Sequence, residues 1–455
     1  MTKHDLSLLS AAQSAEAIRA GHLSSEALVE SHLDRIEKTD SSIRAWAHLD
    51  ADAAIDQARE MDRVRKAGRA TGALHGVPVG LKDIVDTKDM PTRRGTPIFE
   101  GRQPEADARL VEHLREAGAV IVGKTKTTEF AFMHPTDTTN PTDVTRTPGG
   151  SSSGSAAAVA ARHVPLAIGS QTGGSVIRPA SFCGVYGFKP TRGTVSRSGV
   201  FRTSVSLDHV GSFANTLEDV ALLSDVISGY DQNDPASFAR PRAQMLAGAQ
   251  SDVPVSPDIA WLDFPFHDRL DSDTTEGLNA VIEGLDGRVE RFEASPQLSD
   301  LINVHKTIYD YEIRQNMAEI AGAHWSDLSD EMQSAITRAE NISPTQYDDA
   351  LGVMASAQGF FAEYFNDFDA IMAPSATGEA PLLSAGHTGD SVFCLPWTLA
   401  GLPCLTLPLL VGQNDLPIGV QLIGGAEEDD RLFRTASWVQ RALSAENTEG
   451  NQHVT

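Results

Sequence analysis

The segment GSQTGGSVIRPASFCG, from Gly169 to Gly184, decides how this chain is interpreted. It carries three glycines within its first six residues, together with serines and one arginine. It lies in a stretch, Val144 to Leu207, that has no aspartate or glutamate, although 62 of the 455 residues are acidic. The same stretch keeps seven basic residues, which are Arg146, Arg162, Arg178, Lys189, Arg192, Arg197 and Arg202. Glycines and cations without carboxylates indicate a site for developing negative charge.

Composition excludes several classes of function. A net charge of −25 argues against a partner that is a nucleic acid or an anionic membrane. No apolar run reaches the ~18 residues of a membrane-spanning helix, and the charged first 22 residues do not resemble a secretory signal. Three cysteines without a CxxC pair are typical of small buried side chains in a reducing compartment. We therefore expect a cytoplasmic protein.

Apolar periodicity predicts an α/β fold. Spacings of three and four residues predict helices over residues 6–21, 24–38 and 51–68. Short β-branched or apolar runs then alternate with helices, which is typical of an α/β core. The strands are predicted within residues 72–86, 119–125 and 164–172, and the helices over residues 108–118 and 152–162. Strands return at residues 370–376, 403–410 and 418–424, after a mainly helical middle.

Three interpretations compete for the glycine-serine loop that opens the helix at residues 148–162. Free N–H groups at a helix start suit an anion, but the lysine of a phosphate-binding loop is missing. Gly150 to Gly154 also matches the GxSxG nucleophile elbow, with Ser152 as nucleophile, yet a turn-rich loop precedes it instead of the required strand. A serine-capped helix that packs through its alanines is the third interpretation.

The QTGGS segment follows a predicted strand and suits an oxyanion hole. The N–H groups of residues 172–175 converge on one point only if side chains stay away, which two glycines permit. A serine nucleophile also needs a base. The histidines nearest in sequence, His163 and His209, are more typical of structural or exposed positions.

Lysine is the other known base, and Lys82 in GVPVGLKDIVD is the candidate. Its apolar neighbours predict a buried stem, and burial lowers the pKa of a lysine. A surface pair of Lys82 with Asp83 is the competing interpretation, but the flanking run is too apolar for an exposed loop. We expect the acid-free stretch and its arginines to favour neutral Lys82 as well, because a nearby carboxylate would keep it protonated.

Three motifs in order identify the chain as resembling the amidase signature family. They are Lys82-Asp83, PGGSSSGSAAAVA at 148–160 and TGGSVIRPASFCGVYGFKPT at 172–191. Similar segments elsewhere are HGVPVGLKD before the lysine, AGAVIVGKTKTTEFA at 117–131, SGVFRTSVSLDHVG at 198–211 and LPIGVQLIG near the end. The resemblance covers nearly the whole chain. It implies an α/β fold with a large mixed central β-sheet covered by helices on both faces.

The resemblance also implies a Ser–Ser–Lys triad. Ser175 is similar to the nucleophile, Ser151 to the bridging serine that follows a cis peptide bond, and Lys82 to the base. The positions that match the oxyanion hole are Thr172, Gly173, Gly174 and Ser175, and those that match supporting residues are Ser152 and Arg178. The chain departs from the family pattern in two places. Ser153 stands where the family often has glycine. In the QTGGSVIR segment, the family often has aspartate in place of Gln171 and has the arginine one position earlier than Arg178.

The resemblance implies one amidase domain over residues 1–455. Its expected parts are an N-terminal helical shell (1–70), a catalytic core (71–230), a mainly helical specificity segment (231–370) and a C-terminal return to the core sheet (371–455). The expected activity is hydrolysis of a small carboxamide through an acyl-enzyme, with no metal and no cofactor. Such a family member is compatible with a homodimer.

The resemblance implies that the middle segment and the loops around the mouth of the site select the amide. Candidates to line a substrate pocket are Tyr309, Tyr311, Trp397, Arg314 and Phe360, although aromatic residues at helical spacing usually pack in a core. Two alternatives to a free-standing amidase stay open. One is a glutamine-hydrolysing A subunit of a tRNA-dependent amidotransferase, and the other is a catalytically silent binding protein on the same fold.

Overall fold

The computed structural model describes residues 5–450, so the two ends of the predicted domain lie outside the described residues. Its centre is an eleven-stranded mixed β-sheet with four parallel and six antiparallel neighbour pairs. The strands are β1 (Trp46–Leu49), β2 (Pro78–Lys82), β3 (Val120–Thr125), β4 (Leu166–Gln171), β5 (Tyr186–Lys189), β6 (His209–Ala214), β7 (Ile259–Asp263), β8 (Val289–Glu293), β9 (Ala370–Pro374), β10 (Cys404–Val411) and β11 (Pro417–Ile423). Their order across the sheet is β1-β3-β2-β4-β6-β5-β10-β11-β9-β7-β8.

Fifteen α-helices are present within residues 5–450, with short 3-10 helices in several connections. They are α1 (Ala11–Arg19), α2 (Ser25–Ile43), α3 (Ala51–Lys66), α4 (Arg109–Glu116), α5 (Ser153–Ala160), α6 (Ile177–Cys183), α7 (Leu217–Ile227), α8 (Met245–Gln250), α9 (Ser272–Glu283), α10 (Pro296–Asn316), α11 (Ala318–His324), α12 (Asp330–Ala339), α13 (Pro344–Tyr364), α14 (Leu395–Leu399) and α15 (Asp429–Gly450). No helix in this part of the chain is both long and apolar enough to cross a membrane.

Helices cover both faces of the sheet. Side chains alternate between the two faces along a strand, and in β4 Leu166 and Ile168 join one apolar cluster while Ala167 joins another. The first cluster includes residues of α1, α4, α7 and α15, and the second includes residues of α2, α5 and α6. The predicted fold, a large mixed sheet with helices on both faces, is therefore confirmed.

Several strands escape the sequence patterns. The N-terminal region, expected to be helical, contains β1, which pairs antiparallel with β3 at one edge of the sheet. The mainly helical middle also supplies β7 and β8 at the opposite edge. These strands are only four or five residues long, which is too short for a clear period of two.

The order of the sheet brings the predicted motifs together. Strands β2 and β4 are parallel neighbours. Their carboxyl ends, at Lys82 and Gln171, therefore lie on the same side of the sheet. The helix α5 packs close to these strand ends through Gly154, where an added Cβ would lie 2.2 Å from the Ala45 carbonyl oxygen. A glycine at position 154 is therefore required for this approach.

Candidate active site

Lys82 lies fully buried at the carboxyl end of β2. Its Nζ atom is 2.7 Å from Ser151 Oγ, 3.0 Å from Ser152 Oγ and 2.8 Å from Ser170 Oγ. The structure thus brings together three residues that the sequence motifs predicted. It also adds Ser170, which lies next to the end of β4 and was not predicted.

The hydrogen bonds around Lys82 distinguish Ser152 from the other two hydroxyls. Ser152 Oγ donates to the Ser170 carbonyl oxygen and accepts from the Ser170 N–H, both at 3.2 Å. Because its only hydrogen is used there, Ser152 can only accept from Lys82. A neutral amine that donates to Ser152 and Ser170 can keep its lone pair for Ser151, the hydroxyl that the resemblance assigns to the proton relay. This geometry suits a general base that acts on the Ser151 hydroxyl.

Burial is the main electrostatic influence on this lysine. Removal from water lowers the pKa of Lys82 well below its usual value, and the Asp208 charge acts in the opposite direction. Asp208 is itself buried, which raises the pKa of its carboxyl group. Its carboxylate accepts hydrogen bonds from Thr172 Oγ1 at 2.5 Å and from the N–H groups of Thr203 and Ser204 at 2.8 and 3.1 Å. These donors satisfy the carboxylate without Lys82.

Two basic residues of the acid-free stretch bond to groups other than those around Lys82. Arg197 forms a buried ion pair with Asp234 at 2.8 Å. Lys189 donates to the Leu402 carbonyl oxygen. The expectation that these cations help to lower the pKa of Lys82 is therefore corrected, because desolvation is the cause of the shift.

The loop that carries Ser151 is fixed on both sides. The peptide bond from Gly150 to Ser151 is cis, as the resemblance implied. Arg178 Nη2 donates to the Gly150 carbonyl oxygen at 2.6 Å, and the Thr128 N–H donates to that of Ser151 at 3.2 Å. Ser153, a departure from the family pattern, donates to the Gly149 carbonyl oxygen at 2.8 Å. Arg178 therefore supports the loop from α6 despite its shifted position.

The predicted oxyanion loop connects β4 to α6, and Ser175 on it is half-buried. Gln171 Oε1 accepts from the N–H groups of Val176 and Ile177 at 2.9 and 3.1 Å, which closes the loop. Among residues 5–450, no hydrogen-bond partner is found for the Ser175 hydroxyl or for the N–H groups of Gly173, Gly174 and Ser175. The loop thus keeps three donors and one hydroxyl available to a ligand.

The nucleophile-elbow interpretation of Ser152 is wrong. No strand precedes GSSSG, since residues 141–152 form turns and irregular structure, whereas an elbow joins a strand to a helix. The Ser152 hydroxyl is also fully buried and already bonded to the backbone of Ser170.

The predicted pocket residues do not form one surface. Tyr309 is buried beside Thr203, with 3.4 Å between their oxygens. Tyr311 stacks on Tyr347 with ring centroids 4.2 Å apart. Trp397 is 1% exposed and packs between aromatic rings of the core. Trp397 is therefore corrected from a pocket residue to a core residue, and pocket roles for the two tyrosines stay predictions.

Of the two further candidates, Arg314 is exposed in the last turn of α10, and Phe360 is 39% exposed on α13. Three other residues at the site were not predicted: Ser170, Asp208 and His305. Ser170 had a usable signal, because it is a polar residue near the end of a buried strand beside that of Lys82. His305 had none. It lies on α10 and reaches the Thr172 carbonyl oxygen, 2.7 Å from its Nε2 atom.

Comparison with known proteins places this geometry in a family. The amidase family model matches residues 27–433. The A subunit of the glutamyl-tRNA(Gln) amidotransferase from Natranaerobius thermophilus is 33% identical, over 97% of this chain and 96% of the relative.

Solved structures agree. A peptide amidase in complex with the competitive inhibitor chymostatin is 28% identical, with a TM-score of 0.83 over 95% of this chain and 97% of that one. A 6-aminohexanoate cyclic dimer hydrolase complexed with substrate is 26% identical, with a TM-score of 0.84 over 97% and 98%. The sequence motifs, the fold and these relatives agree, and the chain belongs to the amidase signature family.

Proposed function

We propose that this chain hydrolyses a small carboxamide to a carboxylate and an amine or ammonia, with Ser175 as nucleophile, Ser151 as proton relay and Lys82 as base. The observation that carries the proposal is the environment of Lys82. Its buried amine contacts three hydroxyls; that of Ser152 already donates its hydrogen to the Ser170 carbonyl oxygen, whereas that of Ser151, 2.7 Å away, is able to give a proton. Such an amine favours the neutral form that a general base needs.

The first chemical step forms an acyl-enzyme. Ser151 gives its proton to Lys82 and takes the proton of Ser175, whose oxygen attacks the amide carbonyl carbon. The negative charge moves to the carbonyl oxygen, where the N–H groups of Gly173, Gly174 and Ser175 stabilise it. The C–N bond then breaks as the proton returns from Lys82 through Ser151 to the leaving nitrogen.

The second step reverses these roles. Water gives a proton to Ser151 as its oxygen attacks the acyl carbon, and Ser151 passes a proton to Lys82. A second tetrahedral anion occupies the same N–H groups. It collapses to the carboxylic acid as Ser175 recovers its proton through the same relay. No metal or organic cofactor enters either step.

A second candidate function is hydrolysis of glutamine as the A subunit of a tRNA-dependent amidotransferase. The observation that favours it is the relative with that name, which is 33% identical over nearly the full length of both chains. Under this candidate, partner subunits would receive the ammonia, and glutamine would be the amide. The same residues would perform the same two steps.

Labelling tests the shared chemistry without a known substrate. A fluorophosphonate probe should add once to the purified chain, and peptide mapping should place the adduct on Ser175. Ser175→Ala should remove the adduct, and Lys82→Ala should slow its formation by several orders of magnitude. An adduct elsewhere, or a Ser175→Ala variant that keeps amidase activity, would contradict the proposal.

Ammonia release then separates the two candidates. Hydrolysis of small aliphatic or aryl amides by the chain alone, with glutamine inert, supports a free-standing amidase. Hydrolysis of glutamine that rises when the other subunits of an amidotransferase are added supports the second candidate. A catalytically silent protein would show neither activity and no adduct.

A further inference from the structure

Three successive carbonyl groups of the oxyanion loop each accept a hydrogen bond from a different element. The Thr172 carbonyl oxygen lies 2.7 Å from His305 Nε2 on α10. The Gly173 carbonyl oxygen accepts from Thr398 Oγ1 on α14 at 2.7 Å. The Gly174 carbonyl oxygen accepts from the Arg178 N–H on α6 at 3.0 Å.

These bonds fix the direction of the oxyanion donors. A trans peptide unit is planar, and its C=O and N–H groups point in opposite directions. Holding the Thr172 carbonyl therefore sets the N–H of Gly173, and holding the Gly173 carbonyl sets that of Gly174. Glycine by itself has no side chain to resist rotation about its φ and ψ. An oxyanion hole needs donors held in place before the charge develops.

We infer that His305 and Thr398 are positioning residues that orient the oxyanion donors from the helical segment and from α14. The inference rests on the proposed function, because it concerns the same N–H groups. His305 is 3% exposed, so water does not compete for its bond to Thr172. The acceptor is a carbonyl, which has no hydrogen to give, so His305 must carry its own hydrogen on Nε2.

Thr398 is fixed by the loop that it supports. Gln171 Nε2 donates to Thr398 Oγ1 at 2.9 Å, so the hydroxyl accepts from the residue before the loop and donates to the Gly173 carbonyl within it. The Thr398 hydrogen is shared between the Gly173 carbonyl at 2.7 Å and the Cys394 carbonyl at 3.0 Å. Aspartate at position 171 could not make this donation, since a carboxylate only accepts.

The consequence is a direct connection between the helical segment and the reaction. His305 lies one helical turn before Tyr309 on α10, and residues four apart share one face of a helix. A ligand that moves α10 would therefore move His305 and with it the N–H of Gly173. Through His305, the helical segment would then affect the rate of the chemical step.

The test compares His305→Phe with His305→Gln. Phenylalanine removes the donor and keeps the bulk, whereas the glutamine amide can place an N–H near the position of Nε2. We expect His305→Phe to slow fluorophosphonate labelling and to lower kcat on an amide about 10-fold to 100-fold, with KM changed less than threefold. His305→Gln should recover most of the loss.

A matched control separates positioning from folding. His75 is also buried, and its Nε2 lies 2.9 Å from the Met61 carbonyl oxygen, before β2 begins. His75→Phe removes the same kind of bond and should lower the melting temperature without slowing the labelling. If His305→Phe and His75→Phe label at the same rate as the wild type, the inference is wrong while the proposed function stands.

The second variant guards against a failure of His305→Phe to fold. Thr398→Val keeps the shape of the side chain and removes its hydrogen bonds, and Thr398→Ser restores them. Thr398→Val should lower kcat about 10-fold and Thr398→Ser much less. Unchanged kcat in Thr398→Val would overturn the role of Thr398. A wild-type chain that does not label at Ser175 would overturn the proposed function and this inference together.

Discussion

Lys82 and Lys124 are both buried lysines on neighbouring parallel strands, yet their surroundings differ in kind. In the register of β2 and β3, Leu81 pairs with Lys124 and Lys82 pairs with Thr125. Because paired residues lie on the same face and successive ones alternate, the two lysines point to opposite faces of the sheet. Lys82 meets three hydroxyls, whereas Lys124 meets the Val85 carbonyl oxygen and Thr92 Oγ1, 2.7 Å away.

The two lysines differ in whether a neighbouring group can donate a hydrogen to the amine. The Val85 carbonyl has no hydrogen, and the Thr92 hydroxyl donates its hydrogen to that carbonyl at 3.3 Å. Lys124 is therefore surrounded by acceptors only, which suits an ammonium group. Burial lowers the pKa of Lys124 to about 8, while Asp83, Asp86 and Asp89 act against the shift. Burial alone does not make a base, because the neutral amine also needs a neighbour that can give it a proton.

Replacing each lysine in turn by methionine should give the largest difference in kcat/KM between two variants. Lys82→Met removes the base and should lower kcat/KM by at least about 1000-fold, since residues of one proton relay act as a unit. Lys124→Met should keep kcat/KM within about threefold. Initial rates of ammonia release from a substrate amide measure both. Equal losses in the two variants would contradict the distinction between them.

The pH dependence of the rate should report Lys82. The active form is the neutral amine, so the rate falls as pH falls through the pKa of Lys82, about tenfold per unit below it. Two histidines near the loop do not interfere, because burial lowers the pKa of His305 to about 4 and that of His209 well below its usual value.

A profile of kcat/KM over the pH range in which the protein stays folded checks this sign. We call the fall of kcat/KM toward low pH the acid limb of the profile. Lys124→Met should leave the acid limb at the pH of the wild type, because Lys124 does not take part in the relay. A rate that rises as the pH falls over this range would exclude neutral Lys82 as the base.

Ser170 should have a smaller and more specific effect. Ser170→Ala leaves one N–H of Lys82 without an acceptor and should lower kcat about tenfold. It should also move the acid limb to lower pH, because the ammonium form loses an acceptor that stabilises it. Ser170→Thr keeps a hydroxyl and should behave as the wild type. A fall in kcat with no movement of the acid limb would contradict this role for Ser170.

The sequence was sufficient for the chemistry that depends on residue type and order. The order of three features predicted which residues meet at the carboxyl ends of β2 and β4. These features are Lys82 in an apolar run and the two glycine-serine segments. The roles of Ser175 and Ser151 as nucleophile and relay came from resemblance alone and stay predictions. Within the described residues, the structure adds that the Ser152 hydroxyl donates its hydrogen to the Ser170 carbonyl oxygen, which the sequence could not predict.

Contacts between distant segments could not be predicted. His305 lies 133 residues after Thr172 and belongs to a helix with no motif. The strands β1, β7 and β8 are too short for periodicity and form only where neighbouring strands accept them. The expected effect of the arginines failed for a related reason, because composition does not show which charge faces which group.

The smallest expected effect concerns the other lysine and tests whether its role is structural. Thr92→Val removes an acceptor of Lys124 and should destabilise the fold by about 1–3 kcal/mol, with kcat unchanged. The loss should be larger at pH 7 than at pH 9.5. With a pKa of about 8, Lys124 is mainly an ammonium group at pH 7 and needs its acceptors, whereas the neutral amine at higher pH needs them less. Melting temperatures of variant and wild type at both pH values measure the difference. An equal loss at the two pH values would mean that Thr92 contributes packing and not a hydrogen bond to the ammonium group.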